Sequence, residues 1–205
     1  GRKGRPLFYQ GIEGSEPGLR LFDRAHHHVI THSSAKLRVA IAHGDMHEWT
    51  RERAVAANTR PGAPIAGVPE GASTLFYLNS VCHTGLPEDF ESFLRSLAVL
   101  AAKVRNGLVA IAMKTPETDD LAEHAVIGTI GIGDDFVRVG VHENQGLVRF
   151  FATQRALIRM FTAAGFDTNS GSMATFRGDI PGYDQPGATA RFLCAVMKPK
   201  NGNGH

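Results

Sequence analysis

Cysteine is scarce in this chain, with two residues among 205. Cys82 and Cys194 each follow an apolar run typical of a strand, so the sequence predicts reduced thiols and excludes a fold held together by disulfides. No apolar run approaches the roughly 18 residues that a membrane-spanning helix needs. These two absences favour a cytoplasmic protein with no membrane partner.

Neither sign of charge is in excess, because 22 basic residues face 20 acidic ones and the net charge is +2. A protein that binds nucleic acid through its phosphates carries a concentrated basic surface, whereas the arginines of this chain are scattered. The composition therefore gives no strong nucleic-acid signal and favours a small-molecule substrate. Its length and 42% hydrophobic content suit one domain over residues 1–205, with a flexible tail at 199–205.

Polar residues follow three strand-like segments, at the point where each segment ends. The carboxyl ends of parallel strands meet at one edge of a sheet, where open α/β sheets bind nucleotide-type ligands. A carboxylate at such an end can accept hydrogen bonds from both hydroxyls of a ribose. The residues at these ends are Glu13, Gly14 and Ser15 after the first segment, Asp45 and its apolar neighbour Met46 after the second, and Asn79 and Ser80 after the third.

Helical and strand patterns alternate along the middle of the chain. The clearest helix begins at Pro87, has one apolar face and ends at Asn106-Gly107, and the run Leu108 to Met113 then has the length and continuous apolar character of a buried parallel strand. A shorter helix is predicted near His47 to Val55. This alternation predicts an α/β fold with a parallel sheet.

These segments, in this order and spacing, resemble the class I S-adenosylmethionine (SAM)-dependent methyltransferases. The run Tyr9 to Leu19 is similar to the motif whose acid, here Glu13, binds the SAM ribose. Gly44-Asp45-Met46 is similar to the next motif, in which the aspartate lies near the adenine amino group and its apolar neighbour lies against the ring. The helix Thr153 to Ala164, closed by Gly165-Phe166, and the run Ala190 to Lys198 resemble the last helix and the antiparallel last strand.

The resemblance implies a Rossmann-like sheet that is mostly parallel with an antiparallel last strand, SAM as cofactor, and methyl transfer to a small-molecule acceptor. The first strand of the family and its Gly-rich turn have no counterpart here, because the chain enters the second strand directly after Gly1-Arg2-Lys3-Gly4. We therefore expect an upstream segment in the natural protein, and the lack of an initiator Met agrees with this. Two alternatives remain: another copy donates the strand in a homo-oligomer, or the family's second and fourth strands, here Leu7 to Ile12 and Thr74 to Asn79, pair directly and the SAM pocket is lost.

Methyl transfer needs alignment more than it needs a dedicated catalytic group, so its signature in the sequence is weak. His83 lies in the loop that faces the substrate in the family and can take a proton from the acceptor, or it can pack there without a chemical role. Cys82 is interpreted as an ordinary buried cysteine rather than as a nucleophile. A nucleophilic cysteine of this kind follows a proline in a Pro-Cys pair, whereas Val81 precedes Cys82 here. The tract His26-His27-His28 reads as a solvated helix face, and no metal site is predicted.

Residues 114–151 interrupt the regular alternation and are predicted to form an inserted cover over the substrate side. We expect a helix from Asp119 to Ile130, then strands at Phe136 to Val141 and Leu147 to Phe151. Two other functions remain open. A nucleic-acid or protein methyltransferase would carry a basic stripe beside the site, and a non-catalytic methyltransferase-like scaffold would fit the missing Gly-rich turn.

Overall fold

The computed structural model describes residues 7–13, 20, 37–60, 62–79, 86–113, 124–132, 135–142, 148–169, 173–181 and 189–200. The strands are β1 Leu7–Glu13, β2 Leu37–His43, β3 Ser73–Asn79, β4 Arg105–Met113, β5 His124–Ile132, β6 Asp135–His142, β7 Val148–Ala152, β8 Phe166–Asp167, β9 Met173–Pro181 and β10 Thr189–Pro199. The helices are α1 Met46–Thr59, α2 Pro87–Lys103 and α3 Gln154–Ala163.

The chain divides into two compact units, Gly1–Glu70 and Gly71–His205. The first unit contains the parallel pair β1–β2 and helix α1. The second contains a sheet ordered β3-β4-β10-β8, with β9 paired to β10, and a three-stranded antiparallel sheet β5-β6-β7. A single domain over the whole chain stays a prediction.

The predicted α/β class and the antiparallel last strand are confirmed. Strands β3 and β4 pair in parallel, and β10 pairs with β4 in the opposite direction, from Leu193 opposite Met113 to Met197 opposite Val109. Strand β10 also pairs antiparallel with β9, from Thr189 opposite Pro181 to Met197 opposite Met173. Among the described strands, β1 and β3 have one paired neighbour each, and the expected upstream strand stays a prediction.

Helix α2 forms where the sequence predicts it. Pro87 occupies its first turn, where a missing backbone N–H costs nothing, and the Asp89 carboxylate accepts a hydrogen bond of 3.3 Å from the Leu86 N–H. Its apolar face packs on β4 and β10. The helix ends at Lys103, and the predicted end at Asn106-Gly107 is wrong because these two residues belong to β4.

An aromatic cluster joins α2 and α3 to neighbouring strands. The Phe90 ring centre lies 5.2 Å from that of Phe150 in β7 and 6.4 Å from that of Phe161 in α3. Phe161 and Phe166 meet edge to face at 6.4 Å. These rings are almost completely buried, so they form the centre of the core of the second unit.

The sheet of the second unit is covered unequally on its two faces. Leu78 is 7% exposed and pairs with the buried Ile111, whereas Leu75 and Tyr77, on the opposite face of β3, are 56% and 60% exposed. The face that contains Leu78 and Ile111 is therefore the better covered one. The prediction that both faces of Leu108 to Met113 are buried holds for most of the strand, but Leu108 and Ala110 are only half-buried.

Two other predictions need correction. The segment His124–Ile132, predicted as part of a helix from Asp119 to Ile130, is strand β5, because β-branched residues dominate it. Helix α1 runs to Thr59 rather than to Val55, since its last two turns are rich in alanine. Strands β6 and β7 and helix α3 confirm the predicted elements at 136–141, 147–151 and 153–164.

Candidate functional site

The candidate site is the carboxyl edge of the parallel pair β1–β2 in the first unit. Seven register pairs join the two strands, from Leu7 opposite Leu37 to Glu13 opposite His43. Neighbouring strands lie roughly 4.8 Å apart, so the backbone of Glu13 lies within about that distance of His43. Because Gly44 and Asp45 follow His43 directly, the structure places the two predicted acids, Glu13 and Asp45, at the same edge of one sheet.

Asp45 has a structural task at this edge. Its Oδ1 accepts a hydrogen bond of 2.8 Å from the Glu48 N–H, and its backbone carbonyl accepts one of 2.9 Å from the Trp49 N–H, so Asp45 caps α1. The side chain is exposed, and the structure gives Oδ2 no hydrogen bond from any described residue. Asp45 can therefore cap the helix with one oxygen and bind a ligand donor with the other.

Gly44 leaves room between β2 and α1. A Cβ placed on this residue would meet no heavy atom within 4 Å. Met46, the first residue of α1, is half-buried beside this space. The edge thus combines the Asp45 carboxylate, an apolar side chain and an open approach to the backbone, with Glu13 at the end of the neighbouring strand, which suits a polar ligand that also has an apolar face.

Arg53 stabilises the loop that follows α1, and sequence reasoning missed it. Its guanidinium carbon lies 3.8 Å from the centre of the Trp49 ring, its Nε donates a hydrogen bond of 3.1 Å to the Ala66 carbonyl, and one Nη donates one of 3.3 Å to the Trp49 carbonyl. Burial lowers the pKa of Arg53, and the nearby Glu52 opposes this change. The four-residue spacing of Trp49 and Arg53 on a helix was the available signal.

Trp49 itself carries an unpaired donor. Its indole Nε1 is buried and has no hydrogen-bond acceptor among the described residues. The stacked guanidinium covers one face of the ring, so the indole contributes to α1 through packing and the cation–π contact rather than through its N–H.

The other predicted site residues are distributed as follows. Asn79 is the last residue of β3, opposite Ala112 of β4, in the second unit. The remaining predicted residues lie outside the described part of the chain, so their predicted roles are untested; they are Gly14, Ser15, Ser80, Cys82, His83 and the tract His26-His27-His28.

Within the described ranges, no group of three or more His, Cys, Asp or Glu residues could hold a metal ion. None of the described helices is both long enough and apolar enough to cross a membrane.

Comparison with known proteins finds structural likeness without sequence relatives. No protein-family model matches the chain, and no curated protein matches its sequence. A S-adenosylmethionine-dependent methyltransferase from Clostridium acetobutylicum is 6% identical with a TM-score of 0.44, and the match covers 94% of this chain and 84% of that one.

Two further solved structures match at a similar level. An O-methyltransferase family protein from Burkholderia thailandensis is 14% identical with a TM-score of 0.46, and the match covers 97% of this chain and 52% of that one. The LepI complex with SAM is 10% identical with a TM-score of 0.44, and the match covers 97% and 44%. The chain thus spans about half of each of these two proteins.

Proposed function

We propose that the protein binds S-adenosylmethionine and transfers its methyl group to a small-molecule acceptor. The observation that carries this proposal is the register of β1 and β2, which places Glu13 opposite His43 with Gly44 and Asp45 next along the chain. Two carboxylates at the carboxyl ends of adjacent parallel strands suit a ligand that presents both vicinal hydroxyls and an amino group.

Each residue of this edge has a separate role in binding the cofactor. The Glu13 carboxylate accepts hydrogen bonds from the two ribose hydroxyls, with Gly14 and Ser15 beside it. Asp45 keeps its Oδ1 on the Glu48 N–H and offers Oδ2 to the adenine amino group. Met46 supplies apolar contact for the ring, and the absence of a side chain on Gly44 leaves space for it.

When bound, SAM supplies a methyl group on a positively charged sulfur. The chain then has to orient the cofactor, exclude water and hold the acceptor in line, since alignment is the main requirement of the displacement. His83 takes a proton where the acceptor has to lose one. Asn79 and Ser80 add contacts to the cofactor. These three roles rest on the sequence resemblance alone. The near balance of basic and acidic residues, with a net charge of +2, supports a small molecule as acceptor.

The test is calorimetric titration of the protein with SAM and with its demethylated product, S-adenosylhomocysteine. Glu13→Gln preserves the shape of the side chain but removes its charge, and it should weaken binding by about 1 to 3 kcal/mol, or roughly five- to 150-fold. Asp45→Asn should weaken binding while it retains the helix cap, because Asn caps as well as Asp. Glu70→Gln, at an exposed acid of the same unit, is the matched control and should bind as the unsubstituted protein does.

Unchanged affinity in Glu13→Gln would remove Glu13 from the site, and a lack of binding by the unsubstituted protein would refute the proposal. Turnover is assayed separately, as S-adenosylhomocysteine formed in the presence of small hydroxyl, thiol, amine and carboxylate acceptors. Intact binding with no turnover on any of these acceptors would favour the scaffold alternative over the enzyme.

A further inference from the structure

Two histidines occupy one register position in the antiparallel sheet of the second unit. His124 is the first residue of β5 and His142 is the last residue of β6, and the two are directly opposite each other. The pairing of these strands continues to Ile132 opposite Asp135, where the chain turns. The histidine pair therefore lies at the open end of the hairpin, farthest from its turn.

Directly opposite residues in an antiparallel ladder share a face of the sheet, with Cβ atoms roughly 4.5 to 5.5 Å apart. An imidazole nitrogen binds a transition-metal ion at about 2.0 to 2.1 Å. Two imidazoles that start from such a pair of positions can reach a single ion without any change in the strand pairing. Imidazole ligands suit zinc, copper and nickel, whereas magnesium and calcium prefer oxygen.

We propose that His124 and His142 form a two-histidine site for a divalent transition-metal ion, which joins β5 to β6. Within the described ladder the next pairs, Ala125 with Val141 and Val126 with Gly140, offer no ligating side chain, so we assign the remaining coordination positions to water. Such a site exchanges its ion readily, unlike a closed structural site with four protein ligands. This inference is independent of the proposed methyl transfer.

The position of the pair determines what the ion does. The open end of a hairpin is where the strands separate most easily, because the turn holds only the other end. An ion held by both strands closes the loop between residues 124 and 142 and stabilises the folded hairpin by its binding free energy. The metal is therefore expected to slow opening of β5 and β6.

The experiment uses the full chain with His26, His27 and His28 replaced by alanine, because that tract can bind the same metals. Titration with NiCl₂ and with ZnCl₂ at pH 7.5 should show one ion per chain. His124→Ala and His142→Ala should each weaken binding by roughly tenfold or more, and the double variant should be no weaker than the worse single one, since both ligands serve one ion. Binding should be lost at pH 5, where imidazole is protonated.

His47→Ala, at a half-buried histidine of α1, is the matched control and should bind as the background protein does. Amide exchange gives a second measurement: the metal should slow exchange in β5 and β6 in the background protein and in the control, but not in His142→Gln, which retains a polar side chain. Metal binding that survives in the double variant, or its absence from the background protein, would overturn the proposal.

Discussion

Glu13, the last residue of β1, lies directly opposite His43, the last residue of β2. The register that sets this relationship runs without a shift through every pair from Leu7 and Leu37 onward. Because side chains alternate between the faces of a strand, a slip of one residue would move the Glu13 side chain to the other face. The position of residue 13 at this edge is therefore determined by the whole pair of strands rather than by the loop that follows it.

Asp45 should contribute to the stability of α1 through its cap. Replacing it with alanine removes the acceptor for the Glu48 N–H and should lower the free energy of unfolding by about 1 kcal/mol. Asp45→Asn should leave that free energy almost unchanged, because the amide oxygen accepts the same hydrogen bond. Urea denaturation followed by helical circular dichroism measures both variants, and an alanine variant as stable as the original would show that the cap is dispensable.

Gly107 should tolerate no side chain. A Cβ at this position would collide with the Ala101 carbonyl oxygen and lie 2.8 Å from its carbon and 2.9 Å from the Val104 Cγ2. The obstruction is mainly backbone, which moves only with the end of α2, so Gly107→Ala should cost about 1 to 3 kcal/mol or more of unfolding free energy. Thermal unfolding of the variant provides the measurement.

Gly44→Ala is the matched control, because a Cβ at Gly44 meets nothing within 4 Å. Its stability should change by less than about 0.5 kcal/mol. The proposed site places SAM in this same space, so the alanine should weaken SAM binding although the fold is intact. A stable Gly44→Ala variant with full SAM affinity would show that the ligand does not approach here.

The two faces of β3 differ in burial, and the same Leu→Ala substitution at Leu78 and at Leu75 compares them. Leu78 is 7% exposed, and Leu78→Ala should lower the free energy of unfolding by about 2 to 5 kcal/mol. Leu75 is 56% exposed, and Leu75→Ala should cost less than about 1 kcal/mol because little apolar surface is lost from the interior. Equal losses in the two variants would mean that both faces are covered.

Cys194 should react slowly with thiol reagents. Burial raises the pKa of its thiol, so the reactive thiolate is a smaller fraction at any pH than in a free cysteine. In a Cys82→Ser background, the rate of reaction with a disulfide reagent should rise through a midpoint above the usual thiol pKa of about 8.5. A rate equal to that of glutathione between pH 7 and 9 would contradict the effect of burial.

Local patterns were sufficient to predict most of the elements. Helix α2 has a proline at its start and an apolar face over four turns, and both features depend on the segment alone. Strand β5 was missed because Asp119 and Asp120 look like the first turn of a helix, whereas the β-branched residues after His124 favour a strand. The early end of α2 was missed because Asn106-Gly107 is as typical of a helix end as of the start of a strand.

The candidate site likewise has features that the sequence predicted and features that it did not. The common edge of Glu13 and Asp45 follows from a general property of parallel strands, so the sequence was sufficient to predict it. The contact of Arg53 with Ala66 depends on how a loop of many small residues folds back on α1, which no periodicity encodes. The sequence resemblance assigned Asp45 to the ligand, and the structure adds a helix cap that uses one carboxylate oxygen and leaves the other for the ligand.

The pairing of β4 with β10 has a consequence for how the second unit folds. Ile111 and Ala195 are opposite each other in the sheet but far apart along the chain, whereas the β5–β6 and β9–β10 pairings join near neighbours. Distant pairings require the closure of a long loop before any contact compensates for the lost entropy. We therefore expect the hairpins to form in microseconds and the arrival of β10 beside β4 to be the slow step, so that topology rather than the stability of any one element limits refolding.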